Sequence, residues 1–323
     1  MHMSSVYYNR VLSDKMINAI KDPKYFWIID YVKQHPELDF QTGSNANETW
    51  FSVYRGTGRV FSMSALGKFT AEEPYVKLYP EFYNEPSPEK LDNLLAELSN
   101  NEALGRYYIN AKGTKKEGYY QGLISRRYSF ENHDKNDCFI IFDKESVLGF
   151  SSESEKVNWN ATIANEVAEL IDQIRDKLYP KKLPQDIKNE YGEIDFLGLT
   201  WEGDIIVMEL KQDDPTKTYL SPIQIAFYNK QVKKLIRELG GTLYKSIKEL
   251  IEQKMELGIL NISKPIPETL SGRILNYLVV GEDYKLSAEI CRRFKVIREL
   301  TGIEIKAFTC DPDGTLKVSD KLD

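Results

Sequence analysis

Three charged residues near the middle of the chain have types and a spacing that can bind a divalent cation. Asp195 lies in one strand-like run, and Glu209 and Lys211 end the next run. Residues two apart in a strand share a face, so Glu209 and Lys211 are expected to point the same way. Across a short antiparallel hairpin, Asp195 is expected to lie near Glu209. The pattern therefore predicts two carboxylates and one ammonium at a single place.

A bound cation would explain why two carboxylates and an ammonium are placed together on a strand that is otherwise apolar. The residues that precede Glu209 are the apolar run Ile205-Ile206-Val207-Met208, and placing polar groups in a buried strand costs free energy. Two carboxylates about 4 Å apart repel by roughly 4 kcal/mol at an effective dielectric constant near 20. A divalent cation between them converts that repulsion into attraction.

The chain offers few nitrogen or sulfur ligands for such a cation. The three cysteines (Cys138, Cys291, Cys310) are far apart, and the histidines are His2, His35 and His133. Zinc sites, iron–sulfur clusters and disulfides are therefore not expected. Carboxylate ligands favour Mg²⁺ or Mn²⁺.

An acidic residue two positions before a lysine is not specific by itself. The chain contains six such triplets: Asp22–Lys24, Asp186–Lys188, Glu209–Lys211, Glu252–Lys254, Asp283–Lys285 and Glu304–Lys306. Glu304–Lys306 is the main rival, because it also lies on a predicted strand. It lacks an aspartate on a hairpin partner strand, so the context favours Glu209–Lys211.

Three segments in order resemble a known series of motifs. They are Gly192-Glu193-Ile194-Asp195, Glu209-Leu210-Lys211 and Gln224-Ile225-Ala226-Phe227-Tyr228. The series is similar to the G-x-x-D, E-x-K and Q-x-x-x-Y motifs of RecB-type nucleases in the PD-(D/E)xK superfamily. The resemblance covers residues 160–310, about half of the chain. The four cysteines that hold an iron–sulfur cluster in one subgroup of that family are absent.

The resemblance implies a nuclease that depends on Mg²⁺ or Mn²⁺ and acts on nucleic acid. DNA is favoured over RNA only because it is the usual substrate of that family. The catalytic residues it implies are Glu166, Asp195, Glu209, Lys211, Gln224 and Tyr228. The metal ligands it implies are Asp195, Glu209, the Leu210 carbonyl and Glu166. Glu166 is preferred to Glu169 because Glu169 lies farther from the apolar stripe of their helix. The alternative is that both glutamates lie on the surface without a role in the site.

Gln224 and Tyr228 are neighbours on one helical face. The resemblance implies that they contact the lysine, a metal-bound water or a substrate phosphate. The alternative is a tyrosine that packs on the sheet with an incidental glutamine.

Basic residues give further candidates for nucleic-acid contact. Arg126 and Arg127 lie between Tyr119-Tyr120 and Tyr128, a mixture suited to phosphate contact and base stacking, although an ordinary exposed strand has the same composition. Lys230 and Lys234 are candidate contacts with the nucleic-acid backbone, on a helix that also carries Lys233 and Arg237. These residues point largely away from the Gln224/Tyr228 face, so a solvated surface is the alternative. A third cluster contains Arg292, Arg293, Lys295 and Arg298. The net charge of −6 disfavours nucleic acid overall, but phosphate contacts depend on local patches.

The first half of the chain is predicted to be a strand-rich, mixed α+β domain over residues 1–150, used for substrate selection or dimerisation. Two helices are expected within the first 36 residues, the second starting at Asp22-Pro23, and another helix is expected to start at Ser87-Pro88-Glu89. The predicted strands are Trp50–Arg55, Val60–Ala65, Arg106–Asn110, Tyr119–Phe130 and Cys138–Phe142.

The second half, residues 151–323, is predicted to be an α/β domain with a restriction-endonuclease-like mixed sheet flanked by helices. Ser151–Lys156 is the predicted linker, and Asn160 is expected to cap the first helix. The remaining predicted elements are strands Glu193–Thr200 and Asp204–Lys211, a helix from Ser221-Pro222 to Leu239, a helix to Leu257, a strand Arg273–Val280, a helix Ser287–Leu300 and a strand Ile303–Thr309.

Other functional classes fit the sequence less well. No apolar run approaches the length of about 18 residues needed to span a membrane, and no secretory signal is recognised, so a cytoplasmic protein without a membrane partner is expected. A homodimer is compatible with the sequence. No phosphate-binding GxxxxGK[ST] loop is found. A nucleic-acid-binding or sensor protein that keeps the fold without cleaving is the first alternative. A glycosidase-like carboxylate pair is the second, and a neighbouring lysine disfavours the raised pKa that its acid requires.

Overall fold

The structure, a computed structural model, describes residues 6–44, 48–105, 108–109, 113–131, 138–179 and 192–322. The chain forms two compact units. The six-stranded unit comprises Met1–Tyr8, Asp137–Ile247 and Lys264–Asp323, and the four-stranded unit comprises Asn9–Asn136 and Lys248–Ser263. Residues 138–150 thus lie in the same unit as most of the second half of the chain, whereas the predicted division was at residue 150. Within the described ranges, no helix combines the length and apolar character that a membrane crossing requires.

The strands are β1 (Val6–Tyr7), β2 (Leu38–Ser44), β3 (Thr49–Arg55), β4 (Gly58–Ser64), β5 (Phe69–Thr70), β6 (Phe139–Ser146), β7 (Gly149–Phe150), β8 (Ile194–Thr200), β9 (Ile205–Lys211), β10 (Ile274–Gly281), β11 (Lys306–Cys310) and β12 (Leu316–Val318). The helices are α1 (Asp14–Lys21), α2 (Trp27–Gln34), α3 (Glu73–Leu78), α4 (Pro80–Asn84), α5 (Pro88–Asn100), α6 (Glu102–Gly105), α7 (Glu117–Tyr128), α8 (Glu153–Leu178), α9 (Pro215–Leu239), α10 (Gly241–Glu256) and α11 (Ala288–Thr301).

The larger sheet has the strand order β12-β11-β10-β9-β8-β6. β6, β8 and β9 are antiparallel neighbours, whereas β9, β10 and β11 run parallel. All residues of β9 are buried, which explains why its sequence is a continuous apolar run rather than an alternating one. α9 packs against β9 and β10 and contacts α8 and α11. The predicted α/β class is therefore confirmed.

The strand β6 was assigned to the wrong domain by the sequence prediction. It pairs antiparallel with β8, with Phe139 opposite Thr200 and Ser146 opposite Ile194. The apolar residues at its start are buried, so β6 buries its side chains in the larger sheet. Along β6 the register shifts once, between Ile141 and Asp143.

Two predicted helix starts were too late. Ser152 caps α8 by accepting a hydrogen bond from the Glu155 backbone N–H, so the predicted linker Ser151–Lys156 is mostly helical. Asn160 instead lies buried within α8, where its Oδ1 accepts a hydrogen bond from Gln231 Nε2 at 2.8 Å. The predicted cap is therefore a cross-link between α8 and α9.

α9 begins at Pro215 rather than at Ser221-Pro222. The Asp214 side chain caps it by accepting from the Lys217 backbone N–H at 3.0 Å, and Pro222 lies inside the helix. Because proline has no N–H, the Thr218 carbonyl loses its usual partner. The Ser221 hydroxyl donates to that carbonyl at 2.8 Å, which replaces the missing hydrogen bond.

The smaller sheet is antiparallel, in the order β2-β3-β4-β5. The predicted hairpin is confirmed, because β3 and β4 pair from Trp50 opposite Ser64 to Arg55 opposite Gly58, with one irregularity. Its core is rich in aromatic rings, including Phe40, Phe51, Phe61, Phe69 and Phe82. Ser87 caps α5 as predicted, and this helix buries four leucines.

Two further predictions in this unit were wrong. The predicted strand Tyr119–Phe130 is mostly the helix α7. The second helix begins at Trp27 rather than at Asp22-Pro23, and in the turn before it the Asp22 carboxylate accepts from the Lys24 backbone N–H. α7 is buried on most of its surface, which hides the one-sided apolar pattern of an ordinary surface helix. The predicted strand Arg106–Asn110 lies partly outside the described residues.

Candidate metal site

The antiparallel register of β8 and β9 brings the two predicted carboxylates together. Phe196 pairs with Met208, so the next residues toward the open end of the hairpin are Asp195 and Glu209. The Leu210 backbone N–H donates to Asp195 Oδ2 at 2.7 Å, so the Asp195 carboxylate lies against the part of β9 that carries Glu209.

Lys211 completes the group from the same face of β9. Its Nζ forms an ion pair with Glu209 Oε1. Glu209 is 0% exposed and Lys211 is 8% exposed, so this pair is removed from water. Two carboxylates and one ammonium leave an excess of negative charge when all three are ionised. The predicted trio is thus brought together, and its charge can accommodate one more cation.

The pKa of Asp195 is raised above its ordinary value. Burial is the largest cause, and the Glu193 carboxylate adds to it, while the Lys211 ammonium and the Leu210 N–H act in the opposite direction. Because the desolvation outweighs the favourable contacts, the charged form of Asp195 is less stable here than it is in water.

The end of β9 is held by a residue that the sequence analysis did not select. Gln212 Nε2 donates to Asp283 Oδ1 at 2.7 Å, and Gln212 Oε1 accepts from the Gly281 backbone N–H at 3.1 Å. These bonds join the end of β9 to the end of β10. Asp213 follows with φ +63°, a conformation that costs free energy for a residue other than glycine. A polar residue directly after the E-x-K triplet was the available signal.

Gln224 and Tyr228 lie on α9 as predicted, but their contact is with the backbone. The Tyr228 hydroxyl donates to the Glu193 carbonyl, and Gln224 Nε2 donates to the Tyr228 oxygen at 3.2 Å. Glu193 lies two residues before Asp195. The contacts seen among the described residues therefore position the strand that carries Asp195.

Glu166 is not brought to this group. It lies on the exposed side of α8, and its carboxylate forms an ion pair with Lys230 of α9. Among the residues that the structure describes, no three His, Cys, Asp or Glu side chains converge as a metal would require. The two carboxylates, Asp195 and Glu209, are therefore the side-chain ligands that the geometry offers, with the Leu210 carbonyl as the predicted backbone ligand.

Comparison of the chain with models of protein families, with curated proteins and with solved structures found no match.

The rival triplet, Glu304–Lys306, has a different environment. Both side chains are mostly exposed, at 82% and 55%, and their charged atoms are 4.0 Å apart. Lys306 begins β11, which runs parallel to β10 and hence to β9. This triplet therefore lies at the amino-terminal ends of the parallel strands, whereas Lys211 lies at the carboxyl-terminal end of β9. The triplet is in contact with solvent.

The predicted nucleic-acid contacts have mixed surroundings. Arg126 is buried, and its guanidinium donates to the carbonyls of four residues at the end of α2 and just beyond it: Val32, Lys33, His35 and Leu38. This arginine therefore stabilises the fold rather than facing a ligand. Lys234 bonds the Trp159 carbonyl, with its Nζ 4.4 Å from that ring, and Lys230 bonds Glu166. Arg127 is half-buried above the Tyr128 ring.

Proposed function

We propose that the chain is a metal-dependent nuclease that hydrolyses phosphodiester bonds of nucleic acid, with a restriction-endonuclease-like fold in the six-stranded unit. The observation that carries the proposal is the placement of the Asp195 and Glu209 carboxylates at facing positions of β8 and β9, beside the Lys211 ammonium. The mixed sheet and the order of the three motifs along β8, β9 and α9 support the fold assignment.

The residues fit a hard divalent cation. Asp195 and Glu209 provide oxygen ligands from adjoining strands, and the pair lacks histidine and cysteine, which suits Mg²⁺ or Mn²⁺ better than zinc. When bound, such a cation lowers the pKa of a water molecule and neutralises charge on the scissile phosphate. Because a cation binds the ionised carboxylate and the pKa of Asp195 is raised by burial, metal affinity should rise with pH.

The protein's own groups have separate tasks in this proposal. Lys211 presents an ammonium from a site largely closed to water, where its charge stabilises the negative charge that develops on the phosphate oxygens more strongly than in solvent. Tyr228 and Gln224 fix the backbone before Asp195, and Gln212 fixes the backbone after Lys211. By resemblance, the expected products carry a 5′-phosphate and a 3′-hydroxyl.

The test incubates the purified full chain with linear duplex, closed circular and single-stranded DNA, and with RNA, in Mg²⁺, Mn²⁺ or EDTA. The proposal expects cleavage that requires the metal and that is abolished in Asp195→Ala. A matched control is Glu304→Ala, which removes an acidic residue from the exposed rival triplet and should cleave like the natural chain. Cleavage that persists in EDTA, or no cleavage of any substrate with either metal, would reject the proposal. The second result would favour a non-cleaving binding protein.

A further inference from the structure

The four-stranded unit carries a group of tyrosine rings and cations that the proposed metal site does not use. We call it the tyrosine cluster, and its members are Arg55, Tyr108, Lys115, Tyr119 and Tyr120. The Tyr108 and Tyr119 ring centroids are 5.2 Å apart, and those of Tyr119 and Tyr120 are 5.3 Å apart. Lys115 Nζ lies 4.9 Å from the centre of the Tyr119 ring, and the Arg55 guanidinium lies 5.1 Å from that of Tyr108.

Local backbone contacts bring these side chains together. Ile109 and Lys115 form an isolated antiparallel bridge, and the Lys116 N–H donates to the Tyr108 carbonyl at 3.0 Å. This fold-back places Tyr108 beside the first turn of α7, which carries Tyr119. Tyr120 is fully buried and anchors that turn in the core of the unit. The other four members are half-buried, so a part of each side chain is accessible to a ligand while Tyr120 anchors the turn in the core.

Arg55 has hydrogen-bonding capacity that its described neighbours do not use. Its Nη2 donates to the Ser99 hydroxyl at 3.2 Å, whereas its Nε is enclosed and has no hydrogen-bond partner within the described ranges. Enclosing an unsatisfied donor costs free energy. The half-buried Arg55 guanidinium is stacked on a ring, and its Nη atoms, rather than the enclosed Nε, would contact a phosphate.

The Tyr108 ring remains neutral under physiological conditions. Burial is the main cause that raises the pKa of Tyr108 to about 12, and the Glu37 carboxylate also raises it. Neutral rings do not repel a polyanion, and they keep an uncharged face for stacking. The Glu37 charge opposes an anion nearby, and the two cations of the cluster, Arg55 and Lys115, outnumber it.

We propose that the tyrosine cluster binds single-stranded nucleic acid, with Tyr119 and Tyr108 stacking on bases and with Arg55 and Lys115 contacting phosphates. Aromatic faces interleaved with cations suit unpaired bases on a charged backbone, because every base has a face that can stack. Duplex DNA hides those faces. The inference rests on the proposed function only in choosing a nucleic acid as the anionic ligand, and it requires no cleavage.

The experiment measures fluorescence anisotropy of a 5′-labelled thymidine 20-mer with the full chain in EDTA, where metal-dependent cleavage is suppressed. Tyr119→Leu is expected to weaken binding on the order of tenfold, the range of one stacked base. The double variant Arg55→Gln/Lys115→Gln should weaken binding further. It should also flatten the slope of log K against log salt by about 1.4, which is about 0.7 for each phosphate that the protein no longer neutralises.

The matched control is Lys77→Gln, which removes an exposed lysine of α3 that pairs with Glu73. It should bind like the natural chain. Because Arg55 is partly enclosed, Lys115→Gln alone is also measured, and thermal unfolding checks each variant. Equal affinity for the natural chain and Tyr119→Leu, or binding of heparin as tight as that of the 20-mer, would overturn the proposal, since heparin has charge but no bases.

The two proposals fail in different ways. Lys211→Ala should lose cleavage and keep the affinity for the thymidine 20-mer. Tyr119→Leu should lose affinity even if no substrate is ever cleaved. Loss of 20-mer affinity in Lys211→Ala and not in Tyr119→Leu would place binding at the metal site and reject the tyrosine cluster.

Discussion

The Tyr228 hydroxyl donates a hydrogen bond to the main-chain carbonyl of Glu193, two residues before Asp195. Tyr228 is almost completely buried, and its oxygen also accepts from Gln224. The tyrosine of the Q-x-x-x-Y segment thereby connects α9 to the start of β8. The placement of the Asp195 carboxylate thus depends on a helix that follows it in the chain.

Replacing Tyr228 with Phe should lower cleavage more than it lowers stability. The change removes one hydroxyl, which costs about 1–2 kcal/mol in stability because the carbonyl loses its donor. A small displacement of Asp195 should reduce kcat by about tenfold or more, since catalysis depends steeply on position. Urea unfolding and steady-state cleavage measure the two effects.

Tyr244→Phe is the matched control for Tyr228→Phe. The Tyr244 hydroxyl also donates to a main-chain carbonyl, that of Pro267, and α10 does not carry a proposed site residue. We expect a similar loss of stability with unchanged kcat. A Tyr228→Phe protein that cleaves at the natural rate would show that this hydrogen bond does not position Asp195.

Lys211→Ala should reduce cleavage by at least about 100-fold, comparable to the loss of a key electrostatic group at a closed site. Its matched control is Lys306→Ala, because Lys306 belongs to the exposed triplet at the amino-terminal ends of the parallel strands. Lys306→Ala should be active and equally stable, as expected for a surface ion pair. Equal rates for Lys211→Ala and the natural chain would remove the lysine from the mechanism.

Asp195→Asn should stabilise the metal-free protein while abolishing cleavage. Because the pKa of Asp195 is raised in the folded state, the folded state binds more protons than the unfolded state at pH values between the two pKa values. Stability of the natural chain in EDTA should therefore fall as pH rises above about 4, the ordinary value for aspartic acid. Asparagine has no such dependence, so the difference in unfolding midpoint should grow with pH up to the folded-state pKa.

Metal should reverse that order. Mn²⁺ at 100 times its Kd stabilises the natural chain by about 2.7 kcal/mol, because it binds only the folded state. The Asp195→Asn protein has a neutral amide where the natural chain has the second carboxylate, so it should gain much less. Differential scanning fluorimetry over a Mn²⁺ titration measures this gain, and equal gains for the two proteins would contradict Asp195 as a ligand.

Arg126→Met should destabilise the four-stranded unit by about 3–5 kcal/mol, the usual cost of breaking a buried charged network. Several carbonyls around the end of α2 would lose their donor. Arg127→Gln is the control, because Arg127 is the neighbouring half-buried arginine. If Arg126→Met unfolds at the same urea concentration as the natural chain, Arg126 does not stabilise that region.

The sequence predicted the Asp195–Glu209–Lys211 group because its signal is local. Strand periodicity and a short hairpin determine which side chains meet, and both depend on neighbouring residues. The partner of Tyr228 could not be predicted in this way. Which carbonyl accepts from the Tyr228 hydroxyl depends on how α9 packs on the sheet, and the spacing of residues does not determine that packing.

The predictions that were wrong share a physical cause. α7 is buried on most sides, so its sequence lacks the one-sided apolar period of a surface helix and was predicted to be a strand. Pro222 resembles a helix start, and only the Ser221 hydroxyl bond to the Thr218 carbonyl makes it tolerable inside α9. In each case a tertiary or side-chain contact replaces the local rule.

The six-stranded unit is assembled from three separate stretches of chain, and this affects how it can be cut or made. A fragment that starts at residue 151 would lack β6 and leave the outer edge of β8 open to pairing with other molecules. During synthesis, β9 likewise has an open edge until β10 leaves the ribosome, after the long helices α9 and α10. Soluble expression of the site therefore needs the residues that precede α8 as well as those that follow it, and aggregation should be greatest in truncated or slowly completed chains.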